Sequence, residues 1–195
     1  DKLPESLEKL APVLFYPVFG ILIMGAGMNF VVEPVMGAIN TALNSGLASM
    51  SGTSKVLLGF ILGAMMSVDM GGPFNKAAYA FATLNLANAD DQAYIIMAAV
   101  MIGGMTPPCA IALATLLFKN KFTKQEREAG PTNFIMGLAF ITEGAIPYAA
   151  ADPLRVLPAC IAGSAVAGAI SMASQCTLMA PHGGIFVFMV GGNPG

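Results

Sequence analysis

Between Gln92 and Phe118 the chain carries no charged side chain, and Leu10 to Val32 is likewise uncharged, bounded by Lys9 and Glu33. A helix needs about 20 consecutive apolar residues to cross the hydrocarbon core of a bilayer. Each stretch is long enough, and Val156 to Pro181 makes a third. In lipid the backbone must satisfy its own hydrogen bonds, so runs of this length point to spanning helices. Composition agrees: 10% of the 195 residues are charged and 56% are hydrophobic, against about 25% charged in an average soluble domain. The fold class read from this is an all-α membrane protein, a multi-span helical bundle. A net charge of −2 and the lack of a basic stripe argue against a nucleic-acid partner. Cys109, Cys160 and Cys176 lie inside apolar runs with no CxxC pair, and read as small buried hydrophobes. The polar opening DKLPESLEKLAP lacks the basic start of a signal peptide. It reads as the middle of a longer protein, a fragment or a split subunit.

The remaining segments are shorter. Glu33 to Ser54 mixes small, polar and apolar residues with a weak helical period, and reads as an interfacial amphipathic helix. Val56 to Val68 is too short to span alone; it runs into Asp69-Met-Gly-Gly-Pro-Phe-Asn-Lys76 and a second apolar stretch to Ala87. Phe134 to Thr142 is also short, and leads into Glu143, Gly144 and Pro147. Twice, then, a short apolar segment meets an acid and a Gly/Pro break, SVDMGGPFNK and FITEGAIP. Paired interruptions of this kind predict two broken or re-entrant helical hairpins around a binding site. Lys119 to Glu128, KNKFTKQERE, holds four of the nine basic residues and reads as a cytoplasmic loop by the positive-inside rule.

Glu143 is the residue that most needs explaining. An ionised carboxylate in hydrocarbon is costly, so it must face protein or water. The adjacent break frees backbone groups that are tolerated at membrane depth only where they line a cavity or pack on protein. Acid and break together describe a polar pocket, where a carboxylate accepts hydrogen bonds from adjacent hydroxyls, as a sugar presents them. The competing reading pairs Glu143 with Arg155 or makes it a helix cap. Asp69, Asn75 and Lys76 offer an acceptor, an amide and a cation around a Gly-Gly-Pro turn, which could equally be a solvated interfacial loop. His182, the single histidine, follows an apolar run in MAPHGG and is either a hydrogen-bonded structural residue or a pocket member. Arg155 and Asp152 read as a local pair beside Pro153. The fourteen methionines read as packing. No Walker loop, GxSxG or HExxH occurs, and no cofactor or metal is implied.

FITEGAIPYAAADPLRVLPA resembles a signature of the membrane-embedded IIC component of bacterial phosphotransferase-system sugar permeases of the fructose type. DMGGPFNKAAYAF resembles another, and MAPHGGIFV a third, in the same order. The resemblance implies that residues 1–195 are the C-terminal, sugar-binding half of a IIC transmembrane domain, with the N-terminal spans absent. It implies a multi-pass protein of the bacterial inner membrane, a homodimer when complete, with two re-entrant hairpins. Such a permease imports a sugar, here fructose or a related hexose. The sugar is handed to a IIB domain, itself recharged by IIA, whose phosphocysteine is the phosphoryl donor. Fructose would leave as fructose 1-phosphate, and no donor would lie in this chain. Glu143 would stand near the accepting hydroxyl, with Thr142 and Gly144 beside it. Asp69, Asn75, Lys76 and His182 would contribute to the sugar site. A proton- or sodium-coupled secondary transporter shares the broken helices and the acid, and stays open as the alternative.

Overall fold

The computed structural model describes residues 11–48 and 53–190, and among them the chain is helical with no strand. Two compact units divide it, Asp1–Ala42 and Leu43–Gly195. The chain is an all-α membrane protein: helices at Tyr16–Val35, Asp91–Leu117 and Pro153–Ala173 are long and apolar enough to cross a bilayer, with mean hydropathy 1.7, 1.8 and 1.8.

The first unit holds a five-residue π turn, Ala11–Phe15, helix α1, Tyr16–Gly27, a second π turn, Met28–Val32, and the start of helix α2, Glu33–Ala48, whose last six residues fall in the second unit. Pro17 comes just after the π turn, whose helical backbone runs through Phe15 into α1. Every described side chain of α1 lacks burial, so the helix presents apolar surface all round. The expected amphipathic helix corresponds to α2; the polar residues 1–10 and residues 49–52 lie outside the described residues.

The second unit contains α3 (Thr53–Val68), α4 (Pro73–Leu86), α5 (Asp91–Leu117), α6 (Lys124–Leu138), α7 (Ile146–Ala151) and α8 (Pro153–Ala173). Asp90 caps helix α5, its carboxylate accepting from Ala93 N at 2.7 Å. It is apolar on every side and is the hub, more deeply buried than α8. Helices α3, α4, α6 and α8 pack against it. The tightest crossing joins α3 to α8, and small residues make it. A Cβ at Gly59 would lie 2.5 Å from the Gly168 carbonyl oxygen, and one at Gly63 would overlap the Ser164 carbonyl. A Cβ at Gly103 of α5 would lie 2.9 Å from Gly63 Cα, so three backbones meet there. Leu62, Met66, Phe81, Met97 and Val100 fill the core around this seam.

Two sequence readings are corrected. KNKFTKQERE is not a loop throughout: after a 3-10 turn at Lys119–Lys121, α6 starts at Lys124. Thr123 and Glu126 form a capping box that opens it, Thr123 N donating to Glu126 Oε2 at 2.7 Å and Glu126 N to Thr123 Oγ1 at 3.3 Å. The run from Val156 to Pro181 does not stay helical; α8 stops at Ala173 and the chain reverses through Gln175 at φ 52.

Candidate functional site

The first break lies between α3 and α4. Met70 and Gly71 adopt φ 44 and φ 109, which turns the chain within a few residues. Asp69 then caps α4: its carboxylate accepts from Phe74 N at 2.7 Å and from Asn75 N at 2.9 Å. Pro73 fits the first helical position, where its missing N–H is not needed. Asn75 is buried and looks back to α3, its Nδ2 donating to the Met66 carbonyl at 2.7 Å. Asp69 and Asn75 thus bind the two halves of the break together, and the next residue, Lys76, is exposed.

The second break follows α6. Ile141 N donates to the Met136 carbonyl at 2.9 Å and Phe140 N to the Gly137 carbonyl at 3.0 Å, a Schellman ending. The left-handed position is Phe140, at φ 66, where glycine is usual. Its ring is buried, 5.9 Å from Tyr79 and 5.3 Å from His182 between centroids. Gly104 makes this seat possible, since a Cβ there would lie 2.5 Å from the Phe140 ring. The turn Thr142–Ala145 comes next, in 3-10 form, ahead of α7.

Pro107 and Pro108 inside α5 explain how that turn is fixed. Each proline lacks the N–H that would bond to the carbonyl four residues earlier, which leaves Gly103 and Gly104 carbonyls free. Ser164 Oγ donates to the Gly103 carbonyl at 2.8 Å, and Thr142 Oγ1 to the Gly104 carbonyl at 3.1 Å. Ser67, near the end of α3, donates to Ser164 Oγ. All three hydroxyl residues are buried. Two acceptors released by the Pro-Pro pair therefore anchor α8 and the Glu143 turn to α5.

A polar cavity of about 130 Å³ forms where these pieces meet, lined by Asn75, Lys76, Tyr79, Thr142, Glu143 and His182. Residues from three separate motifs thus face one space. Asp69 does not line it and acts through the helix that carries Asn75 and Lys76. Glu143 is exposed rather than sheltered, and stands on the wall between this space and a larger cavity of about 730 Å³ on the α6 side. Gly144 belongs to the larger one, with Thr123, Glu126, Asn133 and Tyr148. The two ion pairs among the described residues join Lys124 to Glu128 at 3.9 Å and Arg155 to Asp152 at 3.3 Å. Arg155 is thus spent locally, as expected, and Glu143 and Lys76 share a cavity without an ion pair between them. Gly71 keeps the approach to Glu143 open: a Cβ there would lie 2.9 Å from Oε1. Tyr148 donates to the Glu126 carbonyl at 2.8 Å. Burial, and then the Glu126 carboxylate, hold its hydroxyl above the ordinary tyrosine range, so it stays a donor.

Tyr79 and Phe140 lie inside two of the quoted motifs but carried no role in the sequence reading, and Asn133 was not singled out. Only the left-handed backbone reveals that the Phe140 ring sits against His182. Asn133 had a signal: a lone amide following Gly-Pro-Thr at the head of an apolar run.

Fold and cavity define a helical membrane protein with a polar, hydroxyl- and charge-lined site at interrupted helices. The family described as Phosphotransferase system, EIIC matches residues 1–163, and the chain belongs to it. It is 53% identical over 192 residues to the PTS system fructose-specific EIIABC component of Bacillus subtilis, covering 98% of this chain and 30% of that protein. It is 54% identical over 189 residues to the PTS system fructose-specific EIIB'BC component of Xanthomonas campestris pv. campestris, covering 97% of this chain and 32% of that protein. With the Fructose permease IIC component of Bacillus amyloliquefaciens it shares 51% identity over 192 residues, 98% of this chain and 62% of the relative. The chain spans about a third of the length of the first two relatives. No solved structure gives a significant match.

Proposed function

We propose that this chain is the sugar-binding half of a phosphotransferase-system permease that crosses the bacterial inner membrane several times and takes fructose. The observation that carries the reading is convergence. Three distant motifs bring Lys76, Glu143 and His182 to one polar cavity, while the Glu143 carboxylate keeps no ion-pair partner among the described residues. Relatives about half identical to it bear fructose-specific names. The cavity's chemistry suits a polyol: Glu143 accepts, Lys76 donates, and Asn75 and Thr142 are held rigid by their own hydrogen bonds. The breaks after α3 and α6 would make two re-entrant hairpins, for α3, at 16 residues, covers about 24 Å of a core about 30 Å thick.

The partner is a IIB domain carrying a phosphocysteine, recharged by IIA, and the permease acts as a homodimer. In the transfer step the sugar hydroxyl oxygen bonds to phosphorus, the phosphorus–sulfur bond breaks, and the cysteine leaves as thiolate. Glu143 orients the hydroxyl and takes its proton. Phosphoryl transfer depends mainly on positioning and electrostatics, so one well-placed carboxylate matters.

The test reconstitutes the full-length protein in liposomes with labelled fructose. Uptake and a phosphorylated product should require phosphorylated IIB, and Glu143→Gln should slow phosphorylation about 100-fold or more. Uptake driven by a proton or sodium gradient without a phosphoryl donor would overturn the proposal, as would full activity in the Glu143→Gln protein.

A further inference from the structure

We infer that Asn133 is a sugar-contacting residue whose carboxamide pairs with fructose hydroxyls in the larger cavity, across Glu143 from Lys76 and His182. The inference rests on the fructose-permease reading and adds to it a second wall of the binding site.

Asn133 is 3% exposed, and neither its Nδ2 nor its Oδ1 has a hydrogen-bond partner among the described residues. Buried side-chain amides are nearly always paired, and one with both ends unspent is an exception that needs a cause. Asn133 is on the wall of the cavity of about 730 Å³ that Glu143 also lines, and its two amide atoms are sealed against Gly144, so a sugar reaches them where the Glu143–Gly144 turn gives way. A carboxamide offers a donor on one side and an acceptor on the other. Neighbouring hydroxyls on a sugar ring match that pair, each able to give and to accept. A cation would leave Nδ2 unused, and an anion would leave Oδ1 unused.

The second break is shaped around this residue. A Cβ at Gly144 would overlap Asn133 Oδ1, so glycine beside the acid is what admits the amide. Glu143 lines both cavities, whereas Asn133 lines only the larger. A sugar held by both would have one hydroxyl at the carboxylate and others directed along α6 toward Thr123 and Glu126, which line the same cavity. Discrimination by such a residue is strong, because a ligand lacking the matching hydroxyl leaves a buried amide unpaired.

The test uses Asn133→Leu and Asn133→Cys in the full-length protein in detergent. Leucine has similar size and no polar atoms. With it, the fructose dissociation constant should rise at least tenfold, while the sugar-free melting temperature stays level or rises because an unpaired amide is gone. With cysteine, fructose should slow disulfide formation with methyl methanethiosulfonate, which leaves a methylthio group on the thiol and releases methanesulfinate, several-fold against the background of Cys109, Cys160 and Cys176 in the unsubstituted protein. This arm decides the matter if the leucine variant does not fold. Unchanged fructose affinity in Asn133→Leu overturns the inference, and so does a cysteine at 133 that fructose leaves unprotected. A lower sugar-free melting temperature with intact affinity also overturns it, assigning Asn133 to structural water alone. An unsubstituted protein that binds no fructose overturns the permease reading and this inference together; one that binds fructose while both variants behave as it does overturns only the inference.

Discussion

Ser164 stands where three helices share one buried hydrogen-bond chain, from Ser67 of α3 through its own hydroxyl on α8 to the Gly103 carbonyl of α5. Removing it strands a donor and an acceptor together. Ser164→Ala should therefore lower unfolding free energy by about 1–3 kcal/mol, more than truncation of an exposed serine. The double variant Ser67→Ala with Ser164→Ala should lose less than the sum of the singles, since each single already breaks the bond they share. Thermal unfolding in detergent reads both, and additive losses would refute the chain. Thr142→Val makes the parallel test at Gly104 and should also weaken fructose binding, because this hydroxyl pins the turn that carries Glu143. The acid itself could be found by reading along the chain, because a carboxylate next to glycine and proline in an apolar run has few explanations. Its supports could not. Ser164 and Thr142 lie 61 and 38 positions from the carbonyls they bind, and a serine among alanines and glycines looks like filler.

The interruptions between helices carry more of the site than the helices do. Gly71 illustrates this: its φ of 109 is a left-handed value that side chains resist, and the Cβ position faces the Glu143 carboxylate at 2.9 Å. Gly71→Ala should cost about 1–3 kcal/mol in backbone strain and also displace Glu143. Fructose phosphorylation should then fall further than the change in melting temperature accounts for, and a proportionate fall in both would mean that Glu143 is not reached. Element existence was largely legible. The uncharged run from Gln92 to Phe118 became α5 almost to the residue, and both Gly/Pro interruptions became real breaks. The errors fell at ends. Charge suggested a loop at 119–128, yet a Thr-x-x-Glu box starts a helix inside it. Apolarity suggested a helix to Pro181, yet Cys176 N turns back to the Ser171 carbonyl at 3.1 Å and Leu178 N pairs with the Tyr94 carbonyl at 3.1 Å. Tertiary hydrogen bonds decide such an ending, and the run contains no glycine at the turn to announce it. The Gly59–Gly63 and Ser164–Gly168 seam was equally silent, since small residues acquire meaning only when a partner helix is known.

Helix α5 also carries a prediction of which end of the second unit faces which side of a bilayer. Its 27 residues extend about 40 Å, enough to carry its two ends beyond a core about 30 Å thick. The ends differ in charge. Asp90 and Asp91 sit at the start, and Lys119 and Lys121 follow the finish on an exposed turn. Lysines in short loops are retained on the cytoplasmic side, while acids exert little pull. The turn with Lys119 and Lys121 is therefore expected inside, and the Asn88 turn outside. The larger cavity, which reaches Thr123 and Glu126 just beyond those lysines, would then open toward the side from which the proposed IIB partner would act. Lys121→Cys should react with a membrane-impermeant maleimide in inside-out vesicles and stay unlabelled in intact cells, and Asn88→Cys should do the reverse. Both positions are exposed, so a missing reaction reports sidedness rather than burial. If the two cysteines react from the same side, α5 does not span; if the pattern is inverted, the larger cavity faces away from the cytoplasm, and phosphoryl transfer at Glu143 from that direction is geometrically closed.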